Sequence, residues 1–394
     1  MPVLAWLASS LALPTAWFVL HFGGLVQEPV PTAVASGLGI FGAAFALSWA
    51  TEVAQLDISR ALALAFLALV AVFPEYAVDV YFAWRAGKDP AYTAYATANM
   101  TGANRLLIGV GWAVPVLLLW ARSRGRLASI RLPREQSVEV NYLALATLYA
   151  FVIPVKGTLS LLDSVVFFAI FAFYMGAAGR THHVAPELEG PAEAIARLGP
   201  LRRRLAVVGI FLFSGAAIFT AAEPFAESLV ATGRRLGIDE FLLVQWLAPL
   251  ASESPEFIVA ILFALRGAAA AGMGTLISSK VNQWTVLVGA LPAAFALSHG
   301  GFGPMHLDGR QREEIFLTAA QSLFALVVIA DFQFSVVEAV LLFILFVPQF
   351  VFTHPFARFI EATAYVALAT GMIVASADVR RSVRRLLPWS RHRR

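Results

Sequence analysis

The sequence contains no cysteine, which excludes disulfides, thiolate metal centres and thiol nucleophiles. Charge is scarce as well. Only 14% of the 394 residues are Asp, Glu, Lys or Arg, against 59% hydrophobic, and the mean hydropathy is +0.74. A soluble domain carries about a quarter charged residues, so a water-soluble fold is excluded. Lysine is nearly missing: Lys88, Lys156 and Lys280 stand alone among arginines. The first basic residue is Arg60, so the amino-terminal hydrophobic stretch lacks the positive region of a secretory signal and is expected to remain as a membrane span. No His-Glu-x-x-His zinc motif occurs, which argues against an intramembrane hydrolase.

What is present is a series of apolar stretches near the ~20 residues that cross a bilayer. Twelve are expected, over 4–22, 31–53, 58–84, 94–120, 138–155, 158–177, 204–230, 239–265, 270–298, 313–333, 335–352 and 356–376. None shows the ten-residue alternation of an outer-membrane barrel. The expected class is therefore an all-α integral membrane protein of ten to twelve spans. Segments 335–352 and 356–376 are short enough for one to be tilted or re-entrant.

Arg and Lys gather in cytoplasmic loops. The even-numbered loops and the tail carry 19 of the 29, the odd-numbered loops 8, and Arg105 and Lys280 lie inside spans. Both termini are expected to face the cytoplasm of a cell whose inner (plasma) membrane holds the chain. The net charge of +4 then reflects topology, and no nucleic-acid partner is implied. The long polar loop 178–203, which carries His182 and His183, divides the spans into six and six.

Two segments resemble each other: FPEYAVDVYFAWRAGKDPAYTAYATANMTGANRLLIGVG (73–111) and SPEFIVAILFALRGAAAAGMGTLISSKVNQWTVLVG (254–289). Each has Pro-Glu followed ten residues after the Glu by Arg, as Glu75 to Arg85 and Glu256 to Arg266. Five spans separate the copies. An odd offset inverts orientation, which is how many secondary transporters build two gates around one midplane site. The expected organisation is an extra helix over 1–30, a first half over 31–177, the cytoplasmic loop 178–203, a second half over 204–352, and an extra helix with a basic tail over 353–394.

Proline lacks an N–H and displaces the carbonyl four residues back, so Pro74 is expected to free the carbonyl of Val70 and Pro255 that of Ala251. Broken helices at membrane depth survive where they line protein or a hydrated cavity. Freed carbonyls beside Glu75 and Glu256, with the oxygens of Asn99, Asn104, Ser252 and Thr275, form a ligand set suited to a hard cation such as Na+ or Ca2+. Each acid at mid-span costs roughly 2.5–3.5 kcal/mol, so Glu75, Asp79, Glu253 and Glu256 together cost on the order of 10–14. Something must compensate them.

Glu253 and Glu256, three apart, share a helix face, and Lys280 is the expected neutraliser of one of them. Its ammonium either makes a permanent salt bridge or occupies the place of a mobile cation. Asp79 either extends the pathway or pairs near Arg85. Arg105 is expected to pair structurally with Asp79 or another buried acid. Glu52, Glu223 and Asn282 are further pathway candidates, although acids near helix ends are usually just solvated. None of the seven histidines falls in the two repeat segments, which argues against an imidazole relay.

At these residues the sequence is similar to the sodium/calcium exchanger superfamily of cation antiporters. The two inverted repeats of that family carry Gly-Thr-Ser-x-Pro-Glu on one helix and Gly-Asn-x-x-Gly-Ser-Asn on the next. Pro74 and Glu75 match, as do Asn99, Gly102 and Asn104 within ANMTGAN (98–104). The Gly-Thr-Ser positions are Val70, Ala71 and Val72. In the second copy ASESPE (251–256) keeps Ser252, Pro255 and Glu256 but has Glu253 for Ser, and GTLISSK (274–280) has Thr275 for Asn and Lys280 for the last Asn.

The resemblance implies a metal-binding pair, Glu75 and Glu256, and spans two and seven as gating helices. With Lys280 at a family sodium position, it implies fewer transported Na+ and favours proton coupling. The expected function is secondary antiport, not enzymatic catalysis: Ca2+ or another hard cation against Na+ or H+, by alternating access. Na+/H+ antiport through the same carboxylates and a non-transporting binding or scaffold protein are the alternatives. No cofactor is expected beyond the transported ions, and the partners are inorganic cations and the bilayer, with no obligate protein partner.

Overall fold

A computed structural model describes residues 3–57, 72–180, 188 and 190–386. Fourteen helices are described here. They are α1 Val3–Phe22, α2 Pro29–Ala54, α3 Phe73–Ala86, α4 Tyr92–Arg122, α5 Arg134–Lys156, α6 Leu161–Ala178, the short α7 Pro191–Ala196, α8 Pro200–Leu236, α9 Glu240–Leu265, α10 Ala269–His299, α11 Gly309–Val328, α12 Val336–Phe350, α13 Pro355–Ala375 and α14 Ala377–Leu386. Among the described residues nine helices are long and apolar enough to cross a membrane. The twelve expected spans each coincide with a helix; α3, α11 and α12 are the ones outside those nine, and 58–71 of the third span lies outside the described residues. Large apolar side chains stand exposed on the outer faces of α6 and α8, with Phe173 at 69%, Leu212 at 70% and Phe219 at 77%. Water would oppose that surface and lipid tails solvate it. The protein is a multi-pass membrane protein.

Several boundaries differ from the hydropathy reading because polar caps start and stop the helices. Asp308 and Gln311 form a reciprocal capping box that begins α11 four residues before its apolar run. That helix ends at Val328, and Gln333–Ser335 instead pairs antiparallel with Ser129–Arg131. Thr158–Leu159, expected inside a span, pairs with Met305–His306, and Ser160 with Asp163 caps the start of α6. These two ribbons stitch 122–134 to 328–336 on one face of the bundle and 156–161 to 299–309 on the opposite face.

Small residues let the helices approach closely. α2 packs along α8, with α1 against α2; Gly37 fits under Phe225, Gly39 under Trp17 and Gly42 under Leu13 and Pro14. The tightest approach is between α4 and α9, where a Cβ on Gly102 would fall 1.7 Å from the carbonyl oxygen of Gln245. The inverted repeat is visible in backbone detail. α4 and α10 are each 31 residues long. Each turns π-helical, at Leu107–Trp112 and Gln283–Leu287, three residues after Asn104 and Lys280 respectively.

Candidate functional site

Helices α3, α4, α9 and α10 meet at the centre of the bundle. α3 begins at Phe73 with Pro74 in its first turn and Glu75 beside it, at the positive end of the helix. The second Pro-Glu pair behaves differently. α9 runs unbroken from Glu240 to Leu265 with Pro249 and Pro255 inside it, so the expected break at Pro255 is corrected: packing on α4 and α10 keeps the rest of the helix straight past the missing N–H. Ala251, half-buried on α9, still faces a proline four residues on. Val70, the other expected carbonyl donor, and Ala71 lie outside the described residues.

Four carboxyls face one another within electrostatic reach: Glu75, Asp79, Glu253 and Glu256. Glu75 and Asp79 sit one turn apart on α3, Glu253 and Glu256 on α9. The first three are buried and Glu256 is half-buried. Gln283, at the start of the π-helical turn of α10, donates from Nε2 to Glu75 Oε2 at 3.1 Å. Ser279 donates from Oγ to Glu256 Oε2 at 2.5 Å. Asn99 faces Asp79 and Gln283 also faces Glu253, yet one oxygen of Glu75, both of Asp79, both of Glu253 and the amide of Asn99 lack an aligned hydrogen bond. Asn282 likewise has an orphaned amide oxygen. Buried polar atoms are normally satisfied, so a cluster of oxygens without hydrogen bonds is an exception that calls for an explanation.

Lys280, the expected neutraliser, lies within electrostatic reach of Glu253 and Glu75 but spends its hydrogen bonds elsewhere. Its ammonium donates to Asn104 Oδ1 at 2.6 Å and to the Asn104 carbonyl at 3.1 Å, and stands 4.6 Å from the centre of the Trp284 ring. The π-helical turn after Asn104 shifts the backbone hydrogen-bond register, and an α-helical carbonyl becomes an acceptor for another helix. The two repeat-equivalent residues thus meet each other across the pseudo-two-fold. Arg105 is not bound to Asp79 either; it pairs with Glu314 on α11.

The remaining candidates scatter. Ser252 donates to the carbonyls of Ala248 and Pro249 on its own helix. Thr275 is exposed and donates to Gly272. Glu52 is half-buried near the end of α2. Glu223 is exposed and accepts from Tyr81 at 3.4 Å, beside Glu227, which accepts from Tyr81 at 2.6 Å and Tyr92 at 2.8 Å and faces Arg85 at 3.5 Å. Gln283 and Glu227 escaped the sequence reading. Gln283 carried a signal, since it is a polar residue inside a span three residues after Lys280 and therefore on its face. Among the described residues no three His, Asp or Glu side chains converge tightly enough to hold a metal by themselves.

A bundle of inverted helical repeats closed around buried, unpaired carboxylates is the architecture of a secondary cation transporter. Residues 30–179 and 206–353 match the family described as sodium/calcium exchanger protein, and the chain belongs to that family. It is similar to the crystal structure of an H+/Ca2+ exchanger, CAX, with 42% identity, 96% of each chain covered and a TM-score of 0.91. The same fold is seen at 13% identity in YfkE (TM-score 0.64, 93% of this chain and 100% of that one). It is seen again in the sodium-calcium exchanger NCX_Mj (13% identity, TM-score 0.53, 83% and 97%). No curated protein matches the sequence.

Proposed function

We propose that the protein exchanges Ca2+ for H+ across the plasma membrane, with both termini on the cytoplasmic side. The observation that carries this reading is the set of orphaned oxygens on Glu75, Asp79, Glu253 and Asn99. Ca2+ takes six to eight oxygen ligands, and the carboxyls of Glu75 and Glu256 would hold it together with these. The same carboxyls bind protons when the cation leaves, so cation and proton occupy one site in turn without a second machinery. Lys280 supports protons over sodium: its ammonium fills the space between the repeats with a cation that cannot be transported. The likeness to an H+/Ca2+ exchanger at 42% identity points the same way. The arginine-rich face formed by 122–134, the start of α8 and α14 is the one we assign to the cytoplasm.

Reconstitution into liposomes tests this directly. A pH gradient is expected to drive Ca2+ uptake in the wild type, an equal Na+ gradient is expected not to, and Glu256→Gln is expected to reduce uptake to that of empty liposomes. Sodium-driven pH change without Ca2+ movement would replace the reading with Na+/H+ exchange, and thermal stability insensitive to every cation would make it a non-transporting protein.

A further inference from the structure

A second buried cluster lies beside the site on residues outside the repeat motifs. Glu314 on α11 is 1% exposed and uses both of its oxygens. Oε2 faces Arg105 Nη2 at 2.5 Å and accepts from Gln245 Nε2 at 3.1 Å. Oε1 faces Nε of Arg358 on α13 at 3.2 Å. Arg358 is itself 1% exposed and reaches Glu361 at 3.7 Å. The contacts of Arg358 are charge contacts and not aligned hydrogen bonds. One carboxylate therefore ties α13, α11, α9 and α4 together.

The knot sits at the tightest glycine contact among the described residues. Gln245 touches Gly102 through its backbone and Thr101 through its side chain, Nε2 to Oγ1 at 3.3 Å. Arg105 lies against the Trp246 ring at 5.1 Å, donates to Gln349 at 3.2 Å, and offers its carbonyl to Gln321 at 3.2 Å. Its neighbour on the chain is Asn104, whose two oxygens hold Lys280. Any rotation of α4 at Arg105 moves those oxygens and the ammonium they hold, which lies within electrostatic reach of Glu253 and Glu75.

We propose that Arg358, on a helix outside the five-plus-five core, is a positioning residue for the cation site. It fixes Glu314, which sets the α4–α9 crossing and through it the Asn104–Lys280 contact. An inert anchor would need only apolar packing, and burying ion pairs in place of packed hydrophobic groups usually gains no stability. What charged groups add is a single defined geometry. The inference deepens the exchange reading and rests on it.

The test is the full-length protein in liposomes, as wild type, R358M/E361Q and R358K. The double variant removes one positive and one negative charge and leaves Arg105 paired with Glu314. It is expected to fold and to need about tenfold more Ca2+ for half-saturation, the scale on which groups supporting metal ligands act, with maximal rate per folded protein far less affected. R358K keeps the charge but loses the fork that spans Glu314 and Glu361, and is expected to fall between. Ca2+-dependent thermal stabilisation in detergent gives the same affinity without transport. Unchanged half-saturation and unchanged Ca2+ stabilisation in folded R358M/E361Q would overturn the proposal. So would a lower melting temperature and rate with normal Ca2+ affinity, the mark of a purely structural anchor. A wild type stabilised by Ca2+ but unable to exchange it would sink the exchange reading while the affinity comparison still decides the role of Arg358.

Discussion

Two clusters of buried charge flank α4, one reached through Asn104 and the other through Arg105, and answer the membrane in opposite ways. Around Glu314 every charge faces an opposite one: Arg105, Arg358 and Glu361 close a neutral knot. Around Glu75 four acids face each other, five of their oxygens lack hydrogen bonds, and the single ammonium gives its hydrogen bonds to Asn104. Burial does not separate the two, since each is mostly buried with one half-buried acid, Glu256 in one and Glu361 in the other. Partner accounting does. A paired charge inside a membrane holds helices in place, whereas an unpaired one is a cost the fold carries for an ion that comes and goes.

The largest effect that sharpens this contrast is expected from Glu314→Gln. It strands two guanidiniums, and a loss of roughly 3–5 kcal/mol is expected in denaturant or thermal unfolding in detergent. Next comes Gly102→Ala. Its Cβ would press on a main-chain oxygen 1.7 Å away, and no rotamer relieves a clash between two backbones, so about 3 kcal/mol is expected to be lost. Gly215→Ala on α8, where nothing lies within 4 Å, is the control and is expected to be neutral or slightly stabilising. Glu253→Gln is expected to go the other way from Glu314→Gln: removing an unpaired acid leaves melting temperature unchanged or higher while Ca2+ exchange is lost. An equal destabilisation by both glutamate variants would break the distinction between the clusters.

The smallest effect belongs to the water-facing end of the bundle. Asp57 accepts from Arg203 at 2.8 Å and from Arg204 at 2.9 Å, joining the loop after α2 to the start of α8. The Arg203 hydrogen bond first, then that of Arg204, holds the carboxyl down at about 2. A depressed folded value means that the contribution is fully present above the unfolded value near 3.9. It is lost as the pH falls from there through about 2. Asp57→Asn is expected to cost under about 1 kcal/mol at pH 7, and the difference from wild type is expected to shrink through about pH 2 and vanish in unfolding measured at about pH 1.

Much of this was legible in the chain. The helices followed from apolar length, though nine of the twelve expected spans are long and apolar enough to cross a membrane among the described residues, and the inverted repeat followed from two Pro-Glu pairs five spans apart. Glu75, Asp79 and Glu253 do come together, because the duplicated motif puts equivalent carboxyls on facing helices. Partners were not legible. Lys280 was expected to neutralise Glu253 or Glu256; it lies within electrostatic reach of Glu253 but gives its hydrogen bonds to Asn104. Arg105 was expected on Asp79 or another buried acid, and that acid is Glu314, more than two hundred residues away. Thr275 and Ser252 were read as ligands by alignment to a motif, yet their hydroxyls are spent on their own helices, as happens when a carbonyl one turn back is the nearest acceptor. Pro255 was expected to break a helix that stays whole.

The sequence by itself determined the membrane, the helices, their pseudo-symmetry and which carboxyls would be costly to bury, because each of these follows from composition and period along one chain. Only the tertiary structure decided which of the buried charges are neutralised and which stand open. An ion pair is a contact of about 3 Å between side chains on different helices, and a turn of one helix by a single residue exchanges its partner.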